Sequence, residues 1–554
     1  MKKYCLVLCC WFSILGFSQS TYLNLEQGSY QKLDRLEIKK GNLDGIHSSF
    51  KPYRASSLNI YGGDSLGEID AFNYNFLQEN EWLSTDSVSE SKKAVLRHFY
   101  KNPYSFYHVN TDALKLSVNP VLYFQMGKDF KNDLSTSINT RGLEIKGMID
   151  NKVGFYSFIG ENQFFAPTYV SNRIAYNRAI PGEGFWKVFK DTGYDFFTSR
   201  AYIDFNVSKH IYVQLGQDQN FVGNGYRSLI LSNHAGSYPF AKIQTKLWKF
   251  NYTNLFAKLT ADVVSTGGGA SAGSQVYPHK WLSFHHLSLN VTKNINIGVF
   301  ESVMSGAADS TGRSNFEIDY LNPVIFYRSV EQNLGSSGNA LIGLDFKWNF
   351  LKHFSFYGQV VMDEFHLESI KARDGWWANK YGVQYGLKYI DIAGISNLDL
   401  QVEHNFVRPF TYTHASNYTS YSHYRTELAH PLGANFKDYI AILRYQPLAK
   451  LNLTATLIYS IKGEDDSLTI AQGGDILKSY NLRAKENGNE IGQGVLNTTT
   501  YMSFVASYMF KPNMFLDMTA IARTETSESA TESNNVFWLS LGLRMNIAAR
   551  QFDY

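Results

Sequence analysis

The sequence predicts an all-β fold: a transmembrane outer-membrane β-barrel of about eighteen antiparallel strands, preceded by a small, partly helical N-terminal periplasmic segment. Three observations carry this. Apolar and polar residues alternate one by one along many segments. In "LSLNVTKNINIGVFESV" (287–303), Leu287, Leu289 and Val291 leave one face and Ser288 and Asn290 the other. Paired segments of this kind turn over two or three residues, whereas the stretches between successive pairs are long and rich in Gly, Ser, Asn, Tyr and His. Finally, 15% of the 554 residues are aromatic, with 37 Tyr and 39 Phe, as in chains that place rings at two lipid–water interfaces.

The chain opens with Lys2 and Lys3, an apolar run from Tyr4 to Phe17, and Ser18 and Ser20 flanking Gln19. This is a charged n-region, an apolar h-region and a small-x-small cleavage site, so residues 1–20 read as a signal peptide of an exported protein. The run is too short to cross a bilayer, and no later stretch approaches about 18 uninterrupted apolar residues, so no transmembrane helix is expected. Cys5, Cys9 and Cys10 all fall inside the signal. The mature chain is therefore expected to have no disulfide, thiolate nucleophile or thiolate metal site. Too few apolar residues precede Cys9 or Cys10 for a lipoprotein. A net charge of +3 is too mild to imply nucleic acid.

Residues 21–110 read as the periplasmic segment. Tyr30, Leu33 and Leu36 recur at helical spacing within 29–42, and Gly41 suits a C-cap. Ser87 and Glu90 form a capping box that would open a second helix, with Val88, Val95 and Phe99 on one side.

Residues 111–554 read as the barrel. Hairpins are expected at Asp150-Asn151-Lys152, at Ser208-Lys209-His210, at Thr292-Lys293-Asn294 and at Leu351-Lys352-His353. Others follow near Pro447 and at Lys511-Pro512-Asn513, with weaker ones near Asn251 and Gly394. Segments 163–197, 218–238, 263–280, 305–338, 365–381, 407–436 and 463–497 are the long polar connections. Tight turns on one side and long loops on the other are the barrel pattern, with about eighteen strands between residues 113 and 547. "FWLSLGLRMNI" (537–547), followed by Phe552 and Tyr554, reads as the closing strand. Val213, Leu289, Ile297 and Leu541 should face lipid. Lys242, Gln244, Lys246, Gln384, Lys388, Asp399, Gln401, Glu403, Asn452 and Thr454 should face the lumen. Mixed charge there suits a plugged or narrow barrel at least as well as an open pore.

Little in the sequence carries chemistry. "NFVGNGYRS" (220–228) lacks the third Gly and the helix of a dinucleotide loop, and "STGGGASAG" (265–273) lacks the Lys-Ser/Thr of a phosphate loop. Adjacent His285 and His286 would leave opposite faces of a strand, and no His or carboxylate grouping has metal-ligand spacing. No Ser–His pair stands out. Neither a catalytic site, a metal nor a cofactor is expected.

The outer loops are richer. Trp376 and Trp377 lie beside Arg373 and Asp374, and "RPFTYTHASNYTSYSHYRTELAHPLGAN" (408–435) crowds Tyr412, His414, Tyr418, Tyr421, His423, Tyr424, Arg425 and His430 together. Tyr320, Phe326, Tyr327 and Arg328 add a third group. Flat rings among Arg, Asn and His donors suit sugar binding, since C–H faces stack and hydroxyls hydrogen-bond. The expected ligand surface is Trp376, Trp377, Tyr412, His414, Tyr418, Tyr421, His423, Tyr424 and Arg425, exposed because the loop has too few aliphatic residues for a core of its own. Girdle rings, or a loop folded inward as a plug, are the alternatives.

With "QDQNFVGNGYRSLILSNHAGSYPFAKIQTKLWKFNYTNLFA" (217–257), "YLNPVIFYRSVEQN" (320–333) and the 408–435 phrase in view, the chain resembles the Wzi-like capsule-assembly outer-membrane proteins of the Bacteroidota. Within them it is most similar to gliding-motility members, from about residue 30 to its end. The resemblance implies a barrel of about eighteen strands with a helical part near the periplasmic mouth. It also implies a surface role in capsule or exopolysaccharide attachment or assembly, or in adhesion and gliding. The partners implied are surface polysaccharide, outer-membrane lipid, the barrel-assembly machinery during insertion, and gliding or secretion machinery proteins. It brings no catalytic residue. The rival expectation is a porin or channel for small solutes, which requires an open lumen.

Overall fold

The structure, a computed structural model, describes residues 20–25, 28–43, 45–62, 66–91, 95, 98–261, 278–306, 318–323, 338–364 and 366–554. The signal peptide except Ser20, the run 265–273, and Phe326, Tyr327 and Arg328 lie outside these residues.

Among the described residues, eighteen strands close into one antiparallel barrel. Each wall strand pairs with the next in sequence, and the last, Asn534–Met545, returns to the first, Leu114–Asp129, with Leu541 opposite Met126. Closure leaves no unpaired edge, which hydrocarbon requires. The faces follow the alternation. Leu289 pairs directly with Ile297 and Asn290 with Asn296. Ile297 is 39% and Leu541 67% exposed, whereas Asn290 and Asn296 are 5% and 2% exposed. Apolar side chains thus point out and polar ones in, the reverse of a soluble protein.

Eight short turns mark one end, over 150–152, 207–210, 248–249, 291–294, 351–353, 390–397, 449–450 and 512–513. Asp150 and Asn151 both adopt φ 50°, a left-handed conformation that short Asx side chains tolerate. The turn expected near Pro447 falls at Ala449-Lys450, after a register shift between Tyr445 and Leu448. The seven long connections share the other end, joined there by two short ones, 130–133 and 528–533, so the alternation of short and long is not strict. Near the turn end, Trp348, Phe350, Phe354 and Tyr389 pack in sequence at 4.6, 5.2 and 4.4 Å between ring centroids. Such a belt fits an interface girdle.

The N-terminal helix Ser29–Lys40 ends as its sequence suggests, with Gly41 at φ 65°. The capping-box reading fails: residues 86–91 form no helix. Instead a helix spans Glu68–Asn80, a single turn follows at Trp82–Thr85, and left-handed Asp86 (φ 57°) stops it just before Ser87. Trp82 and Leu83 bury against Met148 and fix that turn, while Val88 and Val95 stay exposed and give no apolar face for a further helix.

This segment stoppers the turn end. Glu37 accepts from Lys347 at 2.6 Å, Glu81 from Lys146 at 3.0 Å, and Asn290 Nδ2 donates to the carbonyls of Leu43 and Ile46. Arg35 binds Asp70 at 2.7 Å and, from the barrel, Asp391 at 2.6 Å. Inside the lumen Phe50–Lys51 pairs with Phe221–Val222, which belong to the inward-folded connection 219–237. Gln359 and Glu403 on the wall hold that connection. Leu229 N donates to Gln359 Oε1 at 2.8 Å, and Tyr226 N donates to Glu403 Oε2 at 2.6 Å.

The closing strand forms where its sequence places it. The wall ends at Met545. Phe552 turns inside to stack on Phe164 at 5.2 Å, and Asp553 pairs with Arg227 at 3.2 Å.

Candidate functional site

The connection 408–435 folds inward. Tyr412 and Tyr421 are each 1% exposed and stack at 5.8 Å, His423 is 2% exposed, and Phe410, Leu428, Ala429 and Ala434 are buried. The Tyr412 hydroxyl donates to the Leu229 carbonyl at 2.6 Å, Thr260 N donates to His423 Nδ1 at 3.0 Å, and Lys280 Nζ donates to the Ser420 carbonyl at 2.6 Å. The expected exposure of Tyr412, Tyr421 and His423 is therefore corrected. The Tyr412 hydroxyl and the His423 ring find partners on other inward chain, so rings and a few small apolar residues make a core that a count of aliphatics misses. His430, likewise buried, bonds Asp438 at 3.0 Å. Tyr320 is 1% exposed and packs with Val303. Tyr418, Tyr424 and Arg425 are half-buried. Tyr424 meets His423 at 4.7 Å.

A second group of rings stays partly open. Trp376 and Trp377 are half-exposed and meet edge-on at 6.3 Å. Tyr480 lies 4.9 Å from Trp377, and the Arg483 guanidinium sits 4.4 Å over the same indole. His414 meets Tyr480 edge-on at 5.8 Å, and His366 meets Trp376 at 5.6 Å. Lys380 Nζ approaches Tyr480 at 4.9 Å and is held by Asp363 at 3.1 Å and Glu364 at 3.2 Å. Burial holds the His414 imidazole below its usual range, so the ring is neutral at pH 7.

Three connections build this patch, and hydrogen bonds to backbone carbonyls lock them together. Trp377 N donates to the Glu486 carbonyl at 2.8 Å, Gly488 N to the Asp374 carbonyl at 2.8 Å, and Arg408 Nε to the Asn379 carbonyl at 2.8 Å. The result is a set of indole and phenol faces, edged by a guanidinium and imidazoles, at the long-loop end. Of the residues expected from sequence, Trp376, Trp377 and His414 meet here. Tyr480, Arg483 and His366 were missed. Tyr480 and Arg483 sit three residues apart in a polar stretch, a spacing that gives no density signal.

Residues 136–535 match the family model of the capsule assembly protein Wzi. No curated protein sequence matches the chain. Among solved structures, Wzi of Escherichia coli is described as an outer membrane protein involved in group 1 capsule assembly and a carbohydrate-binding β-barrel. It superposes with a TM-score of 0.59 at 12% identity, covering 96% of this chain and 100% of its own. Pseudomonas aeruginosa OprD superposes with a TM-score of 0.42 at 10% identity, covering 83% of this chain and 98% of its own. An outer-membrane β-barrel with a stoppered lumen and a match over most of its length, this chain belongs to the Wzi capsule-assembly family.

Proposed function

We propose that this protein holds capsular or exopolysaccharide chains at the cell surface through its outer loops, in attachment or assembly of the surface layer. The observation that carries the reading is the half-exposed Trp376–Trp377–Tyr480 group with Arg483 and His414, set on a barrel whose lumen is packed. Sugar C–H faces stack on such rings, while guanidinium and imidazole groups orient the hydroxyls. Family membership and the carbohydrate binding described for Escherichia coli Wzi support it. The tight turns, as in other outer-membrane barrels, would then face the periplasm, with residues 21–110 as a periplasmic stopper. The role is one of binding rather than catalysis. Resemblance to the gliding-motility protein RemB adds adhesion and gliding, with gliding or secretion machinery as partners. The rival role, a channel for small solutes, has the packed lumen against it.

A deletion strain, scored for retained surface polysaccharide and for spreading on agar, tests the reading. Loss of retention, restored by the wild-type gene, is expected. Unchanged retention would overturn the main reading, and unchanged spreading would remove the gliding role.

A further inference from the structure

A cavity of about 200 Å³ opens at the turn end of the barrel, away from the outer loops. It lies between the helices Ser29–Lys40 and Glu68–Asn80 on one side and the wall strands Phe436–Leu448, Leu451–Glu464 and Val495–Lys511 on the other. Four cationic side chains border it: Lys32, Arg35, Arg444 and Arg544. Asp399 is the one carboxylate among its lining residues.

Two of the cations are neutralised. Arg35 is shared by Asp70, Asp391 and Asp399, and Arg544 pairs with Asp517 at 2.5 Å. The other two form no ion pair among the described residues, although Asp399 stands across the strand pair from Arg444. Arg444 Nη1 donates to the neutral Gln401 Oε1 at 3.0 Å, and its Nε has no partner. Lys32 lies 4.4 Å over the Phe76 ring, and no carboxylate of the described residues reaches it within ion-pair distance. Burial, and then Arg544, pull the Lys32 ammonium down to about 8, as befits a cation without a counter-charge. Both are half-buried beside the open cavity, so an anion entering from outside would complete the site.

The remaining walls narrow the choice of anion. Gln31, Asn452 and Thr454 supply donors and acceptors, while the Phe76 and Phe515 rings lie under Lys32 and Arg544 and hold those cations in place. A bare inorganic anion would leave these hydrogen-bonding side chains unused. The volume is below the roughly 300–1,000 Å³ of drug-sized sites and admits one ring rather than a chain. We propose that this cavity binds a single acidic sugar unit, a hexuronate-sized polyhydroxy carboxylate, with Lys32 and Arg444 on the carboxylate and Gln31, Asn452 and Thr454 on the hydroxyls. The site is independent of the outer aromatic patch.

Calorimetric titration of the full-length protein in detergent with glucuronate, glucose and inorganic phosphate tests this. Glucuronate binds about tenfold or more tighter than either control. Lys32→Gln and Arg444→Gln each weaken it by about tenfold, the loss of one charge-assisted contact. Thr531→Ala, exposed in the short connection 528–533 at the opposite end, leaves it unchanged. Should Arg444→Gln fail to give a heat-modifiable barrel, Lys32→Gln, on the N-terminal helix, decides alone. Absence of glucuronate binding, indifference to Lys32→Gln, or equal binding of phosphate would overturn the assignment. So would loss of binding in Thr531→Ala.

Discussion

Arg483 and Trp377 stand face to face, the guanidinium 4.4 Å above the indole, although more than a hundred residues of chain separate them. The contact joins two outer connections, so the platform for a ligand exists only when both are in place. A cation–π contact at a part-exposed site is worth about 0.5–1 kcal/mol. Arg483→Ala should therefore weaken polysaccharide binding severalfold while the barrel keeps its heat-modifiable mobility. Unaltered binding would place the ligand elsewhere.

The two faces of the wall should respond differently to charge. Ile297→Arg or Leu541→Arg puts a cation into lipid and should cost about 2–4 kcal/mol of barrel stability near mid-bilayer. Asn290→Ala acts on another structure. It strips a donor from the Leu43 and Ile46 carbonyls, at about 1–3 kcal/mol for buried groups left unpaired. Its signature is faster proteolysis of the N-terminal segment with barrel melting little changed. Equal barrel destabilisation by both kinds of change would refute the face assignment.

Closure of the lumen predicts that purified protein gives no steady large conductance in a planar bilayer. Tyr412 and Tyr421 stack inside the inward connection 408–435, so replacing both by Ala should loosen that packing and produce transient openings. A steady open current from the wild type would restore the channel reading.

Acid should loosen the outer connections in a defined window. Burial alone would raise the Glu427 carboxyl. Arg173 at 3.0 Å and His234 at 3.6 Å, each from a different connection, hold it instead at about 2. A depressed carboxyl stabilises the fold fully above its ordinary value of 4.5 and loses that contribution as pH falls from there towards about 2. Proteolysis of the loops should rise across this range in the wild type. Glu427→Gln should show raised cleavage already at pH 7 and no further step.

The wall was legible because its signal is local: alternation along seven or eight residues decides which side chains meet lipid, and Leu289 and Ile297 follow it. The contents of the lumen were not. Leu229 and Tyr226 are held by Gln359 and Glu403, 130 and 177 residues away, and no local pattern announces such partners. The same limit turned Tyr412, Tyr421 and His423 from an expected surface into a buried core. Ser87 looked like the start of a helix because the capping pattern does not register that Asp86 has just ended one. Half of the platform was visible, as Trp376, Trp377 and His414. Tyr480, Arg483 and His366 joined it only through folding.

The most direct measurement is binding of purified surface polysaccharide to the detergent-solubilised barrel, wild type against Trp376→Ala/Trp377→Ala/Tyr480→Ala. The account predicts that the variant keeps its heat-modifiable mobility and loses most of its binding, because the stacking faces are gone. A variant that folds and binds as tightly as the wild type would contradict it.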